Sequence, residues 1–124
     1  MSRVRSASPY EARYGFCRAL RRGDRFVAGT APINPDGTSC LPDAASQTRR
    51  CITIMLDAVR ALGGSAEDVV RTRMFITDPK DSDDIGRAHG EAFGAHPPVA
   101  TMVVVAALLD ERWRVEMELE AQLT

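Results

Sequence analysis

Three glutamates near the end of the chain are the residues best suited to acid–base chemistry. Glu116, Glu118 and Glu120 alternate with apolar residues, which places them on one face of a predicted strand. A carboxylate beside a partly buried cleft acts as a general base when burial raises its pKa. Alternatively, all three lie on the solvated side of the strand and pair with Arg71 and Arg73, because charged residues on strands are mostly exposed. The residue types alone leave both interpretations open.

Few other residues offer chemistry. Gly29 falls in a predicted strand, where it either lets a ligand approach the backbone or relaxes a bend. His89 lies on a predicted helix and is better explained as a packed or surface histidine than as a base. Cys17, Cys40 and Cys51 have neither the spacing of a zinc site nor that of a disulfide framework, so we expect reduced structural thiols. The sequence has no phosphate-binding Gly-rich loop and no metal-binding motif.

The overall composition excludes several classes of function. The chain has 124 residues, the size of one domain, and its 44% hydrophobic content is that of a globular protein. The chain has sixteen Lys and Arg residues, fifteen of them Arg, and seventeen Asp and Glu residues. The sequence therefore lacks the strong positive charge that nucleic-acid binding needs. No segment is apolar enough to cross a bilayer, and the first residues lack the apolar core of a signal peptide. We therefore expect a cytoplasmic protein with neither a nucleic-acid nor a membrane partner.

The spacing of apolar residues predicts the order β-β-α-β-α-β-β, with residues 1–13 irregular and residues 14–124 forming one domain. The first helix has the strongest local signals, because Asp43 is a favourable N-cap and Gly63-Gly64 is a typical end. This order predicts an α+β fold, with one mixed sheet and two helices on one face. The predicted strands are Gly15–Arg22, Arg25–Thr30, Val69–Thr77, Val99–Leu109 and Val115–Leu123, and the second helix is Asp81–Phe93. In the third strand we expect Val70, Thr72, Met74 and Ile76 to share one face and Arg71, Arg73 and Phe75 the other.

One strand conflicts with this arrangement. Residues 102–108 are apolar at odd and even positions alike, so both faces of that strand should be buried. Two helices cover only one face of a sheet, and the chain has no further element to cover the second. A partner subunit is the simplest cover, and identical copies closing into a ring follow from the symmetry of homo-oligomers.

The order and spacing of several motifs resemble those of the reactive-intermediate deaminase (Rid) family, also called YjgF or endoribonuclease L-PSP. The resemblance covers about residues 14–123. The matching segments are Arg25–Pro32, Gln47-Thr48, Asp68–Asp78, His89–Gly94, Pro98–Val103 with Leu108, and Val115–Glu118.

This resemblance implies a chorismate-mutase-like fold and a homotrimer, with the sheets forming a central barrel and small-molecule clefts between subunits. Members of the best-known branch hydrolyse enamines and imines such as 2-aminoacrylate, and they need no metal or organic cofactor. The chain is thereby expected to be a cofactor-free homotrimer that binds a small ligand at its subunit interfaces.

The resemblance also assigns site residues. Glu116 matches a glutamate proposed to position or activate the hydrolytic water, and Gly29 matches a glycine that lets the ligand approach. Ala100 stands where the best-known branch has an arginine that holds the substrate carboxylate by two parallel hydrogen bonds. Met102 replaces a cysteine, and Ala28 replaces a small hydroxyl residue. Ala100 therefore cannot form these hydrogen bonds to a substrate carboxylate.

Two aromatic residues complete the predicted site. Tyr14 and Phe16 bracket the position of an aromatic lid in the family, although either is equally explained as a core residue.

Because Ala100 cannot bind a carboxylate in this way, one hypothesis is a hydrolase acting on an uncharged imine or enamine. The second hypothesis is a regulatory or metabolite-binding trimer without catalysis. A ribonuclease is disfavoured by the net charge of −1.

Overall fold

The computed structural model describes residues 2–34, 36, 38 and 42–124. The helices are α1 (Pro9–Tyr14), α2 (Ala44–Ala61) and α3 (Ser82–Phe93), and the strands are β1 (Arg3–Val4), β2 (Ala19–Arg22), β3 (Arg25–Thr30), β4 (Val69–Ile76), β5 (Val99–Val104) and β6 (Val115–Gln122). Short 3₁₀ turns, Ala66–Asp68 and Pro79–Asp81, precede β4 and α3. The expectation for Cys40 falls outside the described residues.

The six strands form one mixed sheet in the order β1-β2-β3-β6-β4-β5. All neighbours are antiparallel except β4 and β5, which run parallel and are connected through α3. Helices α2 and α3 pack together over one face, and their apolar residues share a single core with alternate residues of β3, β4 and β6. The predicted α+β class, with one mixed sheet and two helices on one face, is confirmed.

Helix α2 follows the local signals in the sequence. The Asp43 carboxylate accepts a hydrogen bond from the Ser46 amide at 2.9 Å and so caps the first turn. The helix ends at Ala61 with Leu62 as its C-cap, and Gly63 adopts φ 98°, a left-handed conformation that favours glycine. Both ends of this helix were correctly predicted from residue type.

The N-terminal segment differs from the expectation of irregular structure. Ser8 accepts a hydrogen bond from the Tyr10 amide, and Pro9 occupies the first helical position, so a short helix forms. Its Glu11 is buried and accepts hydrogen bonds from the Ser6 amide and hydroxyl. Arg3–Val4 add a short edge strand beside β2. Local capping thus orders a segment whose composition is polar.

Two strands also differ from the predicted pattern. A register shift between Val69 and Arg71 puts Val69, rather than Val70, into the core, because a bulge reverses the alternation at that point. Strand β5 ends at Val104 instead of continuing to Leu109, which is 99% exposed. The apolar run after Val104 therefore belongs to a loop.

A buried glutamine fixes the loop that leads into β6. The Gln47 side chain on α2 donates to the Arg112 carbonyl at 3.0 Å and accepts from the Arg114 amide at 2.7 Å. These two bonds satisfy the loop backbone where no strand can pair with it. They anchor the chain immediately before β6, the strand that carries Glu116.

The sheet face opposite α2 and α3 is uncovered in the single chain, and we call it the open face. It carries the side chains of Val27, Arg73, Phe75, Val103 and Glu116, which alternate with core residues along their strands. Val99, at the start of β5 on the same face, is 66% exposed. The structure thus retains the uncovered apolar surface that the sequence predicted.

Candidate functional site

The open face places the three glutamates of β6 beside different neighbours. Glu118 lies opposite Arg73 on β4 and opposite Gly29 on β3. Glu116 lies opposite Phe75, so its direct cross-strand neighbour is an aromatic ring and not a cation. The register of β6 against β4 therefore separates Glu116 from the other two carboxylates.

Glu118 and Glu120 belong to an ion-pair network. The Arg73 Nη1 atom lies 3.1 Å from Glu118 Oε1 and 3.3 Å from Glu120 Oε1. Arg25 Nη2 lies 3.3 Å from Glu120 Oε2. The interpretation as paired strand charges is therefore correct for these two residues. The second cation is Arg25 rather than Arg71, which forms no ion pair with any residue the structure describes.

Glu116 has a different environment. Its carboxylate is half-buried, and no described residue donates a hydrogen bond to it or pairs with it. Burial raises the pKa of Glu116, and the negative charge of Glu118 raises it further. A carboxylate without a partner and with a raised pKa can accept a proton from water or return one to a leaving group.

Ala100 and Met102 lie on the opposite side of the sheet from Glu116. Ala100 is paired with Thr72, and Met102 with Met74, on the face that α2 and α3 cover. Ala100 is nonetheless exposed, because β5 is the last strand of the sheet, whereas Met102 packs against the core. Side chains at positions 100 and 116 of one chain therefore cannot line one cavity.

Behind Ala100 lies a hydrogen bond that the sequence did not reveal. Thr72 Oγ1 and His89 Nε2 are 2.8 Å apart, and the His89 ring packs against Phe93 with centroids 4.8 Å apart. Burial lowers the pKa of His89, which favours the neutral ring. His89 is thus a packed histidine, as its place on the helix suggested.

Gly29 and Ala28 differ in what they offer a ligand. Ala28 is 3% exposed as a whole residue and its methyl group belongs to the core, so its side chain does not offer a ligand a contact in the single chain. Gly29 is on the open face, where an added β-carbon would lie 3.6 Å from the Met117 carbonyl oxygen and 3.8 Å from the Glu118 β-carbon. These are ordinary contacts, and the Gly29 φ is not positive. Packing within the chain therefore does not require glycine here.

The two aromatic residues of the predicted lid are outside the core. Tyr14 is 69% exposed and Phe16 is 49% exposed. The Tyr14 ring stacks on Tyr10 with centroids 5.8 Å apart, so α1 presents an aromatic pair to its surroundings. Neither residue belongs to the core of the single chain, so the alternative interpretation of them as core residues is wrong there.

A groove of about 420 Å³ lies elsewhere, where the loop before β6 meets the end of β4. None of the seven predicted site residues lines it. Its lining residues are Pro42, Thr77, Asp78, Glu111, Arg112, Trp113 and Arg114. In the described ranges no cluster of three potential metal ligands occurs, and no helix there is long and apolar enough to span a membrane.

The position of Glu116 generates a stability prediction. Because folding raises its pKa, ionisation at neutral pH costs stability. We expect Glu116→Gln to raise the free energy of unfolding at pH 7, and this gain to disappear as the pH falls below 4.5, the ordinary pKa of glutamate. Urea unfolding of the assembled protein, at one protein concentration and over a range of pH, measures the gain at pH 7 and its loss at low pH.

Glu120→Gln is the matched control, because it breaks ion pairs with Arg25 and Arg73. Such exposed pairs contribute up to about 1 kcal/mol, so this variant should be slightly less stable at pH 7. A loss of stability at pH 7 in Glu116→Gln would contradict the assignment of a raised pKa.

Comparisons with known proteins agree on one family. The sequence model of the family described as endoribonuclease L-PSP matches residues 6–123. The uncharacterised protein SCO2049 of Streptomyces coelicolor is 39% identical over 120 residues, 96% of this chain and 90% of that protein. The RutC family protein PYRAB12510 of Pyrococcus abyssi is 32% identical over 95 residues, 75% of each chain.

A solved structure supports the same assignment. Rv2704 of Mycobacterium tuberculosis, described as a member of the YjgF/YER057c/UK114 family, superposes with a TM-score of 0.90. It is 35% identical in sequence, and the match covers 98% of each chain. The chain therefore belongs to the endoribonuclease L-PSP family, the YjgF or Rid family that its motifs resemble.

Proposed function

We propose that this protein binds a small reactive metabolite with an imine or enamine group in clefts between its copies, and hydrolyses it. The observation that carries the proposal is the environment of Glu116. Its two neighbours on β6 are neutralised by Arg25 and Arg73, whereas Glu116 is half-buried and has no partner among the described residues. Family membership supports a small-molecule site in this fold.

The proposed reaction uses water and Glu116 alone. An enamine first becomes an imine by gaining a proton at carbon and losing one at nitrogen. The Glu116 carboxylate then accepts a proton from water as the water oxygen attacks the imine carbon, which gives a carbinolamine. Glu116 returns this proton to the nitrogen, which completes the neutral carbinolamine. It then accepts the proton of the carbinolamine hydroxyl and delivers it to the same nitrogen, so that the C–N bond breaks and ammonia leaves as the carbonyl forms. This balance requires no metal, redox partner or organic cofactor.

The proposed cleft requires more than one copy of the chain. Position 100 and Glu116 lie on opposite sides of the sheet, so a cleft lined by both combines Glu116 of one copy with Ala100 of another. The uncovered open face gives the copies a reason to associate, because it exposes Val27, Val99 and Val103. We propose the homotrimer with a central barrel that the family resemblance implies.

The proposed partners and location follow from the same reasoning. No nucleic-acid partner is proposed, in spite of the family's name, because the net charge is −1 and two arginines of the open face, Arg25 and Arg73, are already paired with glutamates. Cys17 and Cys51 are not in a disulfide bond, which is compatible with the cytoplasmic location that we propose.

We predict a trimer in solution. Sedimentation equilibrium of the wild type should give three times the 13.5 kDa mass of the chain. Val103→Asp introduces a charge beside Phe75 on the open face and should dissociate the assembly. Leu109→Asp, at a fully exposed loop position, is the control and should leave the mass unchanged. A stable single chain for the wild type would remove both the trimer and the cleft.

We predict weak activity on 2-aminoacrylate. A bidentate contact to a buried carboxylate contributes on the order of 2 to 5 kcal/mol, and its absence at Ala100 corresponds to roughly a thirty-fold loss or more. Ala100 is exposed, so Ala100→Arg can be accommodated and should raise kcat/KM by that factor. The assay couples a dehydratase that releases 2-aminoacrylate to detection of the keto acid.

Ala106→Arg adds the same charge just beyond β5 and is the control. It should leave the low rate unchanged. A wild-type rate that equals the rate of Ala100→Arg would contradict the role assigned to position 100.

We predict that Glu116 carries turnover of a neutral imine. With N-benzylidenemethylamine as the probe, Glu116→Gln should lower the catalysed rate by about 100-fold or more, the usual contribution of general acid–base catalysis. Glu120→Gln should retain most of the activity, because Glu120 is held by Arg25 and Arg73. Loss of the C=N absorbance measures the rate.

The absence of an arginine at Ala100 favours a second candidate, a metabolite-binding or regulatory trimer without catalysis. Equal rates for the wild type, Glu116→Gln and the uncatalysed reaction, with ligand binding preserved, would establish that alternative.

A further inference from the structure

Gln47, near the start of α2, holds the backbone of a segment that is distant in the sequence. The residue is 2% exposed. Its amide nitrogen donates to the Arg112 carbonyl at 3.0 Å, and its amide oxygen accepts from the Arg114 amide at 2.7 Å. Within the described ranges, the third bond from a distant element to the backbone of residues 112–114 joins the Thr77 amide to the Arg114 carbonyl at 3.3 Å. One side chain thus supplies two of these three bonds, and its two are the shorter ones.

The position of Glu116 depends on this segment more than the rest of β6 does. In the part of the chain that the structure describes, pairing of β6 with β3 ends at Met117, so β6 lies between two strands only from that residue onward. Glu116 is paired on the β4 side alone, opposite Phe75. Its remaining constraint is the covalent chain, and Arg114 is two residues away. A movement of residues 112–114 therefore reaches Glu116 before it reaches the doubly paired part of the strand.

The surroundings of residues 112–114 offer little other support. The groove of about 420 Å³ runs along this segment, so packed side chains do not hold it on that side. Arg112 pairs with Asp110, and Arg114 pairs with Asp81. Ion pairs between exposed side chains contribute little to the order of a backbone. The buried amide of α2 is therefore the main restraint on the chain that enters β6.

We propose that Gln47 is a positioning residue for the hydrolysis, because its amide fixes the segment that sets the place of the Glu116 carboxylate. This inference rests on the proposed function, since it adds a second residue to the machinery of the same site. Gln47 is buried on the helix side of the sheet, and Glu116 lies on the open face, so Gln47 acts through the backbone and does not touch the ligand. Its loss is therefore expected to change kcat more than KM.

The role requires a donor and an acceptor on one side chain. Methionine has a similar length but no donor and only a weak acceptor, so Gln47→Met removes both bonds. A protonated carboxyl group has an O–H donor and a carbonyl acceptor, whereas an ionised one only accepts and would face the Arg112 carbonyl without a proton. Gln47→Glu should therefore position Glu116 correctly when the introduced carboxyl is protonated and fail when it is ionised. Burial raises the pKa of such a carboxyl, which brings this change toward neutral pH.

Charged groups face both of the positions that titrate in this test. They are Asp43, Arg112 and Arg114 for residue 47, and Arg73 and Glu118 for Glu116. Each has a partner of its own: the aspartate caps α2, the two loop arginines pair with aspartates, and the β4 arginine pairs with the β6 glutamate. Dividing the kcat of a variant by that of the wild type at each pH cancels the titrations that both proteins share.

The test measures kcat and KM of the assembled protein for N-benzylidenemethylamine, with the uncatalysed rate subtracted, from about pH 5 to about pH 9. Gln47→Met should lower kcat by about 10-fold to 100-fold and leave KM nearly unchanged, because a small misplacement of a catalytic group has an effect of that size. For Gln47→Glu, the ratio of its kcat to that of the wild type should approach one at the acidic end. The ratio should fall to the Gln47→Met value at the alkaline end.

Thr48→Val is the matched control. Thr48 is the next residue of α2, is fully buried, and donates its hydroxyl to the Ala44 carbonyl at 2.8 Å within the helix. The variant loses a buried hydrogen bond without touching residues 112–114, so it should keep the wild-type kcat. Trp113, the one tryptophan of the sequence, lies between the two residues that Gln47 holds. Its fluorescence emission should shift in Gln47→Met and stay unchanged in Thr48→Val.

Three results would overturn the proposal. They are a wild-type kcat in folded Gln47→Met, a Gln47→Glu ratio that does not change with pH, and an equal loss of kcat in Thr48→Val. Urea unfolding of each variant separates stability from activity. A variant that is less stable but keeps its kcat per folded protein would assign Gln47 a structural role only.

Failure of this inference is separable from failure of the proposed function. In Gln47→Met the pKa of Glu116, read from its carboxyl ¹³C NMR signal, should fall toward the ordinary 4.5, because the carboxylate leaves its half-buried position. If the wild type does not hydrolyse the probe but this pKa falls, the positioning role stands and the catalytic proposal fails. If the probe is hydrolysed through Glu116 while neither kcat nor this pKa responds to Gln47→Met, the reverse holds.

Discussion

The alternation of side chains along β6 is the constraint on which the rest of the structure depends. Val115, Met117, Leu119 and Ala121 point into the core beneath α2, and this burial forces Glu116, Glu118 and Glu120 together onto the other face. Three carboxylates on one face repel one another unless cations lie between them. Arg73 and Arg25 supply those cations for two of the three.

The distribution of these cations distinguishes one glutamate. Cross-strand register brings Arg73 opposite Glu118, and the next position along β4 on that face is Phe75, which lies opposite Glu116. An aromatic neighbour removes water and offers no charge, so Glu116 is a weaker acid than an exposed glutamate. The charged form of Glu116 does not stabilise the single chain, and such a residue is a candidate for proton transfer in a functional site.

The sheet also separates the residues that the family resemblance groups together. Ala100 and Met102 lie on the helix-covered side, and Glu116 and Gly29 lie on the open side. A ligand that contacts both sets therefore sits between copies, and the exposed valines of the open face give such copies an apolar contact surface.

The sequence by itself determined the elements whose signals are local. Asp43 and Gly63-Gly64 marked the two ends of α2. The alternation in β6 separated its buried apolar residues from its glutamates, and the order of the motifs identified the family. Only the tertiary structure decided the features that depend on neighbours distant in sequence. The bulge at Val69–Arg71 reversed the expected alternation. The register of β6 against β4 places Arg71 directly opposite Glu120, yet the Glu120 carboxylate pairs with Arg25 and Arg73. That register also placed Phe75 beside Glu116, because a strand's pattern fixes which face a residue occupies but not which side chain lies opposite it.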